Sequence, residues 1–450
     1  MQFFKFKQLR KLKINFDDQS FPDDKVASLL AVSNRFGLVF IGTPASRLLC
    51  LRTSDLVEID RNATPAEKRV EALDFPKREI ELTGRPSFVA LSADSLTLMV
   101  CLDKSGFPVG CFYDVRAFAR QEGPINPFKE VRLSISEGVT VQDCVWNPAV
   151  VELVAVCLSD GSLTVIGVQE TNVNINSLPA STNARALSWS PKGKQIAVAK
   201  DSAIVQYRPD LTEARSIPFN QQSLGMDDSS RPVPCGILWL STPQFLTAFN
   251  DEDNPEASPK VFVVNVHKAG PATFINYEDI CYEVSKHRRH YLMQNLASWN
   301  VTLVASATAL EIGVLGQSGG TAENPEWTQW FMEDAWRAEL PLTASKEDTF
   351  PLGVALDTTS QVPIPWGENQ NLEPVPILLI LSTSGLLCPY HVINLKPGAE
   401  KLTHPAEPLS ASGERKGIEI KEVPQSLKRP TVSSAYVKNA GVLVSRTGFT

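Results

Sequence analysis

The sequence predicts an all-β fold: a seven-bladed β-propeller with a short inserted helix and an extended C-terminal segment. Three observations lead to this prediction. The 32 prolines and 25 glycines among 450 residues favour many turns and short strands over long helices. A module of apolar strands and polar turns returns about every fifty residues. Each copy begins at a Trp or aliphatic anchor, a feature that a pair of β-sandwiches, the alternative architecture, does not explain.

The two clearest copies of the module begin with Trp-Asn-Pro at 146–148 and Trp-Ser-Pro at 189–191. Apolar runs at 153–157 and 196–199 follow them, and Ser-Asp-Gly-Ser at 159–162 is typical of a tight hairpin turn. Weaker copies bring the number of anchors to seven, and successive anchors are 43 to 60 residues apart. This spacing fits a four-stranded blade of roughly 40–45 residues with loop insertions. The anchors are Val32, Leu91, Trp146, Trp189, Trp239, Trp299 and Leu356.

Radial packing explains why such modules occur together, because one blade cannot cover both of its faces alone. At the N-terminus, apolar and basic residues alternate over 4–14, which predicts a half-buried strand with Lys and Arg toward solvent. The alternative for this stretch is a membrane or nucleic-acid patch. We predict that residues 1–395 form the propeller. Residues 396–450, rich in Pro, Ser, Lys and Glu, are predicted to be extended, either partly packed on the propeller or disordered.

The inserted helix is predicted after residue 324. Asn-Pro-Glu at 324–326 resembles a capped helix start, with Asn at the cap and Pro in the first turn. Trp327, Trp330 and Phe331 follow at helical spacing, and Pro341 ends the run. A helix inserted between propeller strands lies on a rim or a face.

Charge and composition narrow the function. A net charge of −7 argues against a broad nucleic-acid surface, which needs a basic face, and favours a basic protein partner. We expect no membrane span and no secretion signal, because the chain has neither an 18-residue apolar run nor an apolar N-terminal region. The eight scattered cysteines, mostly among apolar neighbours and without Cys-x-x-Cys, predict buried reduced thiols in the cytosol or nucleus.

We expect no cofactor, no metal and no catalytic site. Gly-Lys-Gln at 193–195 lacks the hydroxyl of a phosphate loop and is better explained as a hairpin. The glycine-rich stretch 316–320 lacks dinucleotide spacing and predicts a loop. His287 and His290 are separated by two arginines, so a surface loop is expected rather than a metal site. A propeller enzyme, with acids or histidines converging on the channel, is the less favoured alternative.

Several acidic runs of two or three residues lie between the predicted strands, at 227–228, 251–253, 333–334 and 347–348. Each is either a solvated turn or part of a larger surface. If they cluster on one face, they create a steering field for a basic partner.

Five segments together resemble a known family: 28–40, 155–162, 189–198, 337–341 and 381–389. They resemble the N-terminal β-propeller of the cytoplasmic-face FG nucleoporin CAN family, the large nucleoporins of the mRNA-export platform. The matches run in order from about residue 6 to residue 415. Members of that family continue into coiled coils and many Phe-Gly repeats, whereas Phe-Gly occurs once here, at 36–37, so we expect a fragment or truncated form.

The resemblance implies a seven-bladed propeller followed by an extended segment bound to its own underside. It also implies a protein-docking platform at the cytoplasmic face of the nuclear pore complex that recruits a DEAD-box mRNA-export helicase, with docking and RNA binding in competition. Other cytoplasmic-face nucleoporins are implied partners; direct contact with nucleic acid or membrane is not, and the chain would be a monomer within a larger assembly. The implied partner-binding residues are Arg337, Glu339, Leu340, Pro341, Leu342, Asp227 and Asp228.

Two alternatives remain open at this stage. The chain could be a propeller scaffold or adaptor of another complex. Residues 337–342 could also simply join two secondary-structure elements, which is the interpretation we would prefer without the resemblance.

Overall fold

Seven antiparallel sheets of four or five strands follow one another along the part of the chain that the computed structural model describes, residues 3–22, 25–170, 172–284, 290–321, 324–367 and 370–417. We call these sheets blades 1 to 7. The N-terminal strands and those of blades 1 to 3 are β1 (Phe4–Gln8) and β2 (Leu12–Lys13); β3 (Leu30–Ser33), β4 (Leu38–Thr43), β5 (Arg47–Arg52) and β6 (Arg78–Glu81); β7 (Arg85–Leu91), β8 (Thr97–Lys104), β9 (Phe107–Asp114) and β10 (Lys129–Arg132); β11 (Val141–Trp146), β12 (Leu153–Leu158), β13 (Leu163–Val168) and β14 (Val173–Leu178).

The strands of blades 4 to 7 are β15 (Ala186–Trp189), β16 (Ile196–Ala199), β17 (Ala203–Tyr207) and β18 (Glu213–Pro218); β19 (Pro232–Ser241), β20 (Gln244–Asp251), β21 (Lys260–Asn265) and β22 (Thr273–Asn276); β23 (Tyr291–Leu296), β24 (Val301–Ser306), β25 (Gly313–Thr321) and β26 (Asn324–Trp330); β27 (Pro351–Asp357), β30 (Ile377–Ser382) and β31 (Leu386–Asn394). Strands β28 (Ile364–Pro365) and β29 (Asn371–Leu372) pair with each other in a separate two-stranded hairpin between β27 and β30. The helices of the described residues are α1 (Thr53–Asn62) and the short 3-10 turns Glu67–Arg69, Val115–Ala119, Ala180–Thr182, Ala297–Trp299 and Asp334–Trp336.

The first strands of the blades form a closed ring, which confirms the predicted seven-bladed propeller. Strand β3 contacts β7, and the contacts continue through β11, β15, β19, β23 and β27 back to β3. Six of the seven anchors lie in these first strands, and Trp299 lies in the 3-10 turn directly after β23. Each anchor therefore marks the point at which its blade turns from the first strand toward the second.

The N-terminal strand closes the ring. β1 pairs with β31 in antiparallel register, so the fourth strand of blade 7 comes from the start of the chain. The predicted alternation is confirmed, because Phe4 and Phe6 are buried while Lys5 and Lys7 lie on the other side of the strand. The Lys7 ammonium donates to the Pro365 carbonyl at 3.2 Å, so this lysine is already engaged within the chain.

The helix predicted after residue 324 is wrong: residues Asn324–Trp330 form β26, which pairs with β25. Trp327 and Trp330 lie on opposite sides of this strand. Trp327 packs against the core between blades 5 and 6, and Trp330 against the core between blades 6 and 7. A spacing of three residues suits a helix when one face is buried, but in a propeller both faces of a blade are covered, so the same spacing is compatible with a strand.

The α-helix of the described residues, α1, lies instead between β5 and β6 of blade 1. It buries Thr53, Leu56 and Val57, a set at helical spacing, and this helix was not predicted. The helix is ten residues long and, apart from Leu56, Val57 and Ile59, polar, so its apolar signal is short.

All eight cysteines lie within the described residues, where they are buried and form no disulfide, as predicted. Burial raises the pKa of Cys50, Cys111 and Cys388 to about 12, which keeps these thiols protonated at neutral pH. The residues Gly-Lys-Gln at 193–195 form the predicted hairpin between β15 and β16, where Gly193 adopts a positive φ of 66°.

Because strands alternate in direction, the connections divide between two faces. The upper face carries the connections between blades and those from second to third strands. The lower face carries the connections from first to second and from third to fourth strands. Residues 396–417 cross the lower face: the Trp299 indole donates to the Glu400 carbonyl at 2.7 Å, and the Glu407 amide to the Arg35 carbonyl at 2.7 Å. Residues 418–450 of the predicted C-terminal segment lie outside the described residues.

Arg415 anchors this segment to blade 2. Its guanidinium donates to Asp114 at 2.7 Å and to the Leu96 carbonyl at 2.7 Å. Burial acts to raise the pKa of the Asp114 carboxyl, but hydrogen bonds from Arg116 and Arg415 outweigh it and lower that pKa to about 2. Ionised Asp114 therefore stabilises the fold by about 2 kcal/mol above pH 4, and this contribution is lost as the pH falls from about 4 to 2.

We expect Arg415→Gln to release the segment from blade 2 at neutral pH, because the buried carboxylate loses one of its two cations. Hydrogen exchange measured by mass spectrometry should show faster exchange over residues 400–417 and little change in the blades. Lys416→Gln, at the exposed next position, is the matched control and should leave exchange unchanged. Equal exchange in the two variants would contradict the anchoring role.

Candidate protein-docking surface

The predicted partner-binding segment lies in the connection from β26 of blade 6 to β27 of blade 7, on the upper face. Backbone hydrogen bonds hold it against the connection between β24 and β25: the Ile312 amide donates to the Ala338 carbonyl at 3.1 Å, and the Leu340 amide to the Leu310 carbonyl at 3.0 Å. The Thr349 hydroxyl donates to the Pro341 carbonyl at 2.7 Å. The segment is therefore a fixed part of the face.

Side chains along this segment alternate between the core and solvent. Ala338 and Leu340 are buried in the core between blades 6 and 7, whereas Glu339 is exposed and Leu342 is 52 % exposed. Pro341 is partly buried between them. Of the predicted apolar contacts, Leu342 has an accessible side chain, while the buried side chain of Leu340 holds the segment against the core.

Arg337 is held in place by two carboxylates. Its guanidinium donates to Glu311, in the connection before β25, and to Asp334 three residues earlier. Hydrogen bonds from Arg337 to Asp334 and Glu311 raise the pKa of the guanidinium. The Arg337 side chain is 30 % exposed, so its positive charge is accessible to solvent although two carboxylates hold it in place.

A tight turn follows Leu342 and directs it outward. The Thr343 amide donates to the Glu347 carbonyl at 2.9 Å, and the Glu347 amide donates to the Thr343 hydroxyl at 3.0 Å. Lys346 adopts a positive φ of 65° in this turn. Leu342 is therefore an exposed apolar side chain on backbone that is ordered on both sides, the geometry that favours an interface anchor.

Asp227 and Asp228 lie on the same face, in the connection from β18 of blade 4 to β19 of blade 5, and both are exposed. The loop is folded back on itself: the Ser230 amide donates to the Asp227 carbonyl at 2.9 Å, and Leu224 is buried beneath it. Two blades separate these aspartates from Arg337, so they form a distant part of the same face.

The other acidic runs also fall on the upper face, since 251–253 begins at the last residue of β20 and the pairs at 333–334 and 347–348 lie between β26 and β27. Asp251 is buried and accepts from the Arg231 amide at 2.9 Å, so it is structural, whereas Glu252 and Asp253 are exposed. The acidic runs thus share one face, which is the arrangement that attracts a basic partner.

A cavity next to Arg337 was not predicted. It has a volume of about 230 Å³, and its rim includes Tyr282 and Phe331, which are 50 % and 59 % exposed. Glu311 and Met332 also line it. Its walls come from three stretches that are distant in the sequence, 280–282, 311–313 and 329–337. The sequence therefore gave no indication of a cavity beyond the aromatic residues near 331.

The central channel of the propeller is narrow at the level of Phe88. Phe88 on the first strand of blade 2 lies 6.1 Å, between ring centroids, from His290, which precedes the first strand of blade 6. His290 is buried, so the surface loop predicted for it is wrong: the residue enters the inner ring of strands. His287 lies outside the described residues. Among the residues that the structure describes, no group of three or more His, Cys, Asp or Glu is arranged to hold a metal ion.

The comparison with protein families decides the identity of this propeller. The family model described as the NUP159/214 beta propeller matches residues 24–387. The chain belongs to the NUP159/214 β-propeller family. The resemblance predicted from the sequence is thereby confirmed.

Relatives of the NUP159/214 propeller include Nup214 of Homo sapiens, a nuclear pore complex protein that is 35 % identical over 431 residues, 92 % of this chain and 20 % of the relative. The chain thus spans about a fifth of that relative's length. The crystal structure of the N-terminal domain of Nup159 shares the fold, with a TM-score of 0.62 at 16 % identity over 87 % of this chain and 96 % of that one.

A solved complex in which S. cerevisiae Dbp5 is bound to Nup159, Gle1, IP6 and ADP contains the same fold, with a TM-score of 0.61 at 15 % identity over 87 % of this chain and 96 % of that chain. Within the described part of this NUP159/214 propeller, the helices are too short or too polar to cross a membrane.

Proposed function

We propose that this propeller is a non-catalytic docking platform that recruits a DEAD-box mRNA-export helicase at the cytoplasmic face of the nuclear pore complex. One observation carries the proposal: Arg337 and Leu342, a fixed cation and an exposed apolar side chain, lie in one ordered segment on a face that also holds the acidic runs. Family membership and the nuclear pore assignment of Nup214 support the location. The complex of Dbp5 with Nup159 supports the kind of partner.

Competition with RNA follows from charge. A helicase binds RNA through a basic surface, and a face with several acidic runs attracts the same kind of surface. We infer that the helicase cannot engage RNA and the propeller at once. A calorimetric titration of the helicase with this propeller, repeated with single-stranded RNA present, tests the inference: RNA should raise the apparent Kd for the propeller, and an unchanged Kd would contradict it.

The acidic loop should act on the rate of association. Replacing Asp227 and Asp228 together by Asn should slow helicase binding several-fold at low ionic strength, because exposed charges steer encounter more than they hold the complex. At about 0.5 M salt the difference should nearly vanish, since charges farther apart than the Debye length are screened. Stopped-flow or surface-based kinetics at two salt concentrations measure both effects.

The matched control for the loop is Asp160→Asn, which changes an exposed aspartate in a turn between β12 and β13. That turn is also on the upper face but in blade 3, outside the acidic runs. Association rates that are insensitive to salt, or that fall equally in the control, would remove the loop from the docking surface.

Burial of the cysteines and of His391 supports a scaffold role over a catalytic one. The described cysteines are buried, and burial lowers the pKa of the His391 ring to about 4, so it is neutral and inaccessible at physiological pH. If the helicase fails to bind while another pore protein does, the function is that of an adaptor in a different complex.

A further inference from the structure

A large cleft opens on the lower face of the propeller, on the side opposite the docking surface. Its volume is about 1150 Å³. The walls are α1 of blade 1, residues 118–121 between β9 and β10 of blade 2, and residues 406–409 of the C-terminal segment. A space of this size holds a ligand considerably larger than a single inorganic ion.

Positive charge predominates in the lining, although the chain as a whole carries −7. Among the acids of the lining, Glu407 already pairs with Arg35 at 2.8 Å. Asp55 and Glu58 lie on α1. The charged lining residues are Arg52, Arg61, Lys77, Arg78 and Arg120, against Asp55, Glu58 and Glu407.

Arg78 is the central feature of the cleft. Its guanidinium is partly buried and donates to the Gly123 carbonyl at 3.0 Å, while its Nη1 atom is shielded from solvent and has no hydrogen-bond partner among the described residues. No carboxylate of the described chain forms an ion pair with it. Burial and the nearby Arg120 lower the pKa of Arg78. A charge in this setting raises the free energy of the empty cleft.

Arg120, in contrast, is compensated. It pairs with Glu414 of the C-terminal segment at 2.9 Å and donates to the Pro124 carbonyl at 2.9 Å. Glu414 therefore compensates Arg120 alone, and the guanidinium of Arg78 has no carboxylate partner among the described residues.

We propose that the cleft binds a small phosphate-bearing anion, with Arg78 as its principal partner and Arg52 and Lys77 at the mouth. Guanidinium groups match the oxygens of phosphate in a planar, bidentate geometry, and phosphate carries enough charge to satisfy more than one cation. The site is independent of helicase docking, since it lies on the other face.

Calorimetric titration with inorganic pyrophosphate at low ionic strength tests the site. The unmodified chain should bind with saturation near one equivalent, and Arg78→Gln should weaken binding at least about tenfold through loss of a charge-assisted hydrogen bond. Arg208→Gln, an exposed arginine in the connection from β17 to β18 on the same face, is the control and should change the affinity less than about twofold.

Thermal unfolding gives a second readout that does not depend on the heat of binding. Without pyrophosphate, Arg78→Gln should be at least as stable as the unmodified chain, because it removes a charge without a counter-ion. Pyrophosphate should raise the melting temperature of the unmodified chain and not that of Arg78→Gln. Absence of saturable binding, or equal weakening in Arg78→Gln and Arg208→Gln, would overturn the proposal.

Discussion

Replacing Leu342 with Arg is expected to weaken helicase binding by about 2–4 kcal/mol, a 30- to 1,000-fold rise in Kd. Leu342 is 52 % exposed on backbone fixed by the turn at 343–347, so an interface that buries it gains apolar contact at low entropic cost. Arg at this position places a second cation near Arg337 and opposite a basic partner. Calorimetry with the purified helicase measures the change.

Leu73→Arg is the matched control. Leu73 is 73 % exposed and follows Ala72, which pairs with β2 at the outer edge of blade 7, outside the connection between blades 6 and 7. This variant makes the same chemical change at an exposed leucine and should bind the helicase with unchanged affinity. If Leu342→Arg binds as tightly as the control, the upper connection between blades 6 and 7 is not the docking surface.

The second large effect concerns closure of the ring. Phe6→Ala is expected to reduce the free energy of unfolding by about 3–5 kcal/mol, the usual loss for a fully buried phenylalanine. Phe6 is 1 % exposed, in edge-to-face contact with Phe4 at 5.4 Å between ring centroids, and it lies in the strand that joins the start of the chain to β31. Denaturant unfolding followed by tryptophan fluorescence measures the loss.

Phe3→Ala provides the comparison for Phe6. Phe3 is 50 % exposed and precedes the same strand, where only its carbonyl is used, accepting from the Leu395 amide at 2.7 Å. Its loss should cost less than about 1 kcal/mol. Equal destabilisation by the two substitutions would show that β1 contributes through its backbone pairing alone.

The blade repeat was visible in the sequence because the anchors occur where a first strand ends, a position at which every blade makes the same turn. Trp146 and Trp189 mark it in blades 3 and 4, and the alternation of Phe4 and Phe6 with lysines marked the closing strand. These are local patterns, repeated or strictly alternating. Such patterns survive loop insertions, which is why the blade number was correct.

The helix predicted after residue 324 was wrong because local sequence patterns do not show whether one or both faces of a segment are buried. Trp327 and Trp330 face two different inter-blade cores, and the covering of both faces is a property of the closed ring. The true helix, α1, buries a three-residue stripe that is too short to stand out beside the surrounding strands. At β26 and at α1, tertiary packing rather than local secondary-structure propensity determined which element formed.

The candidate site was predictable only in part. Leu342 and Arg337 were identified through the family resemblance, whereas the pairing of Arg337 with Glu311 joins residues 26 positions apart and depends on the fold. Leu340 looked equivalent to Leu342 in the sequence, but the alternation along the segment buries one and exposes the other. The shared face of the acidic runs likewise follows from strand direction, which the sequence alone does not give.

The central claim is that this propeller holds a helicase on its upper face and yields it to RNA. Size-exclusion chromatography of the purified chain with the purified export helicase tests this most directly. The two should elute together, and single-stranded RNA added with a nonhydrolysable ATP analogue should separate them, leaving the helicase with the RNA. Separate elution without RNA, or a complex that retains the helicase when saturating RNA is present, would contradict the claim.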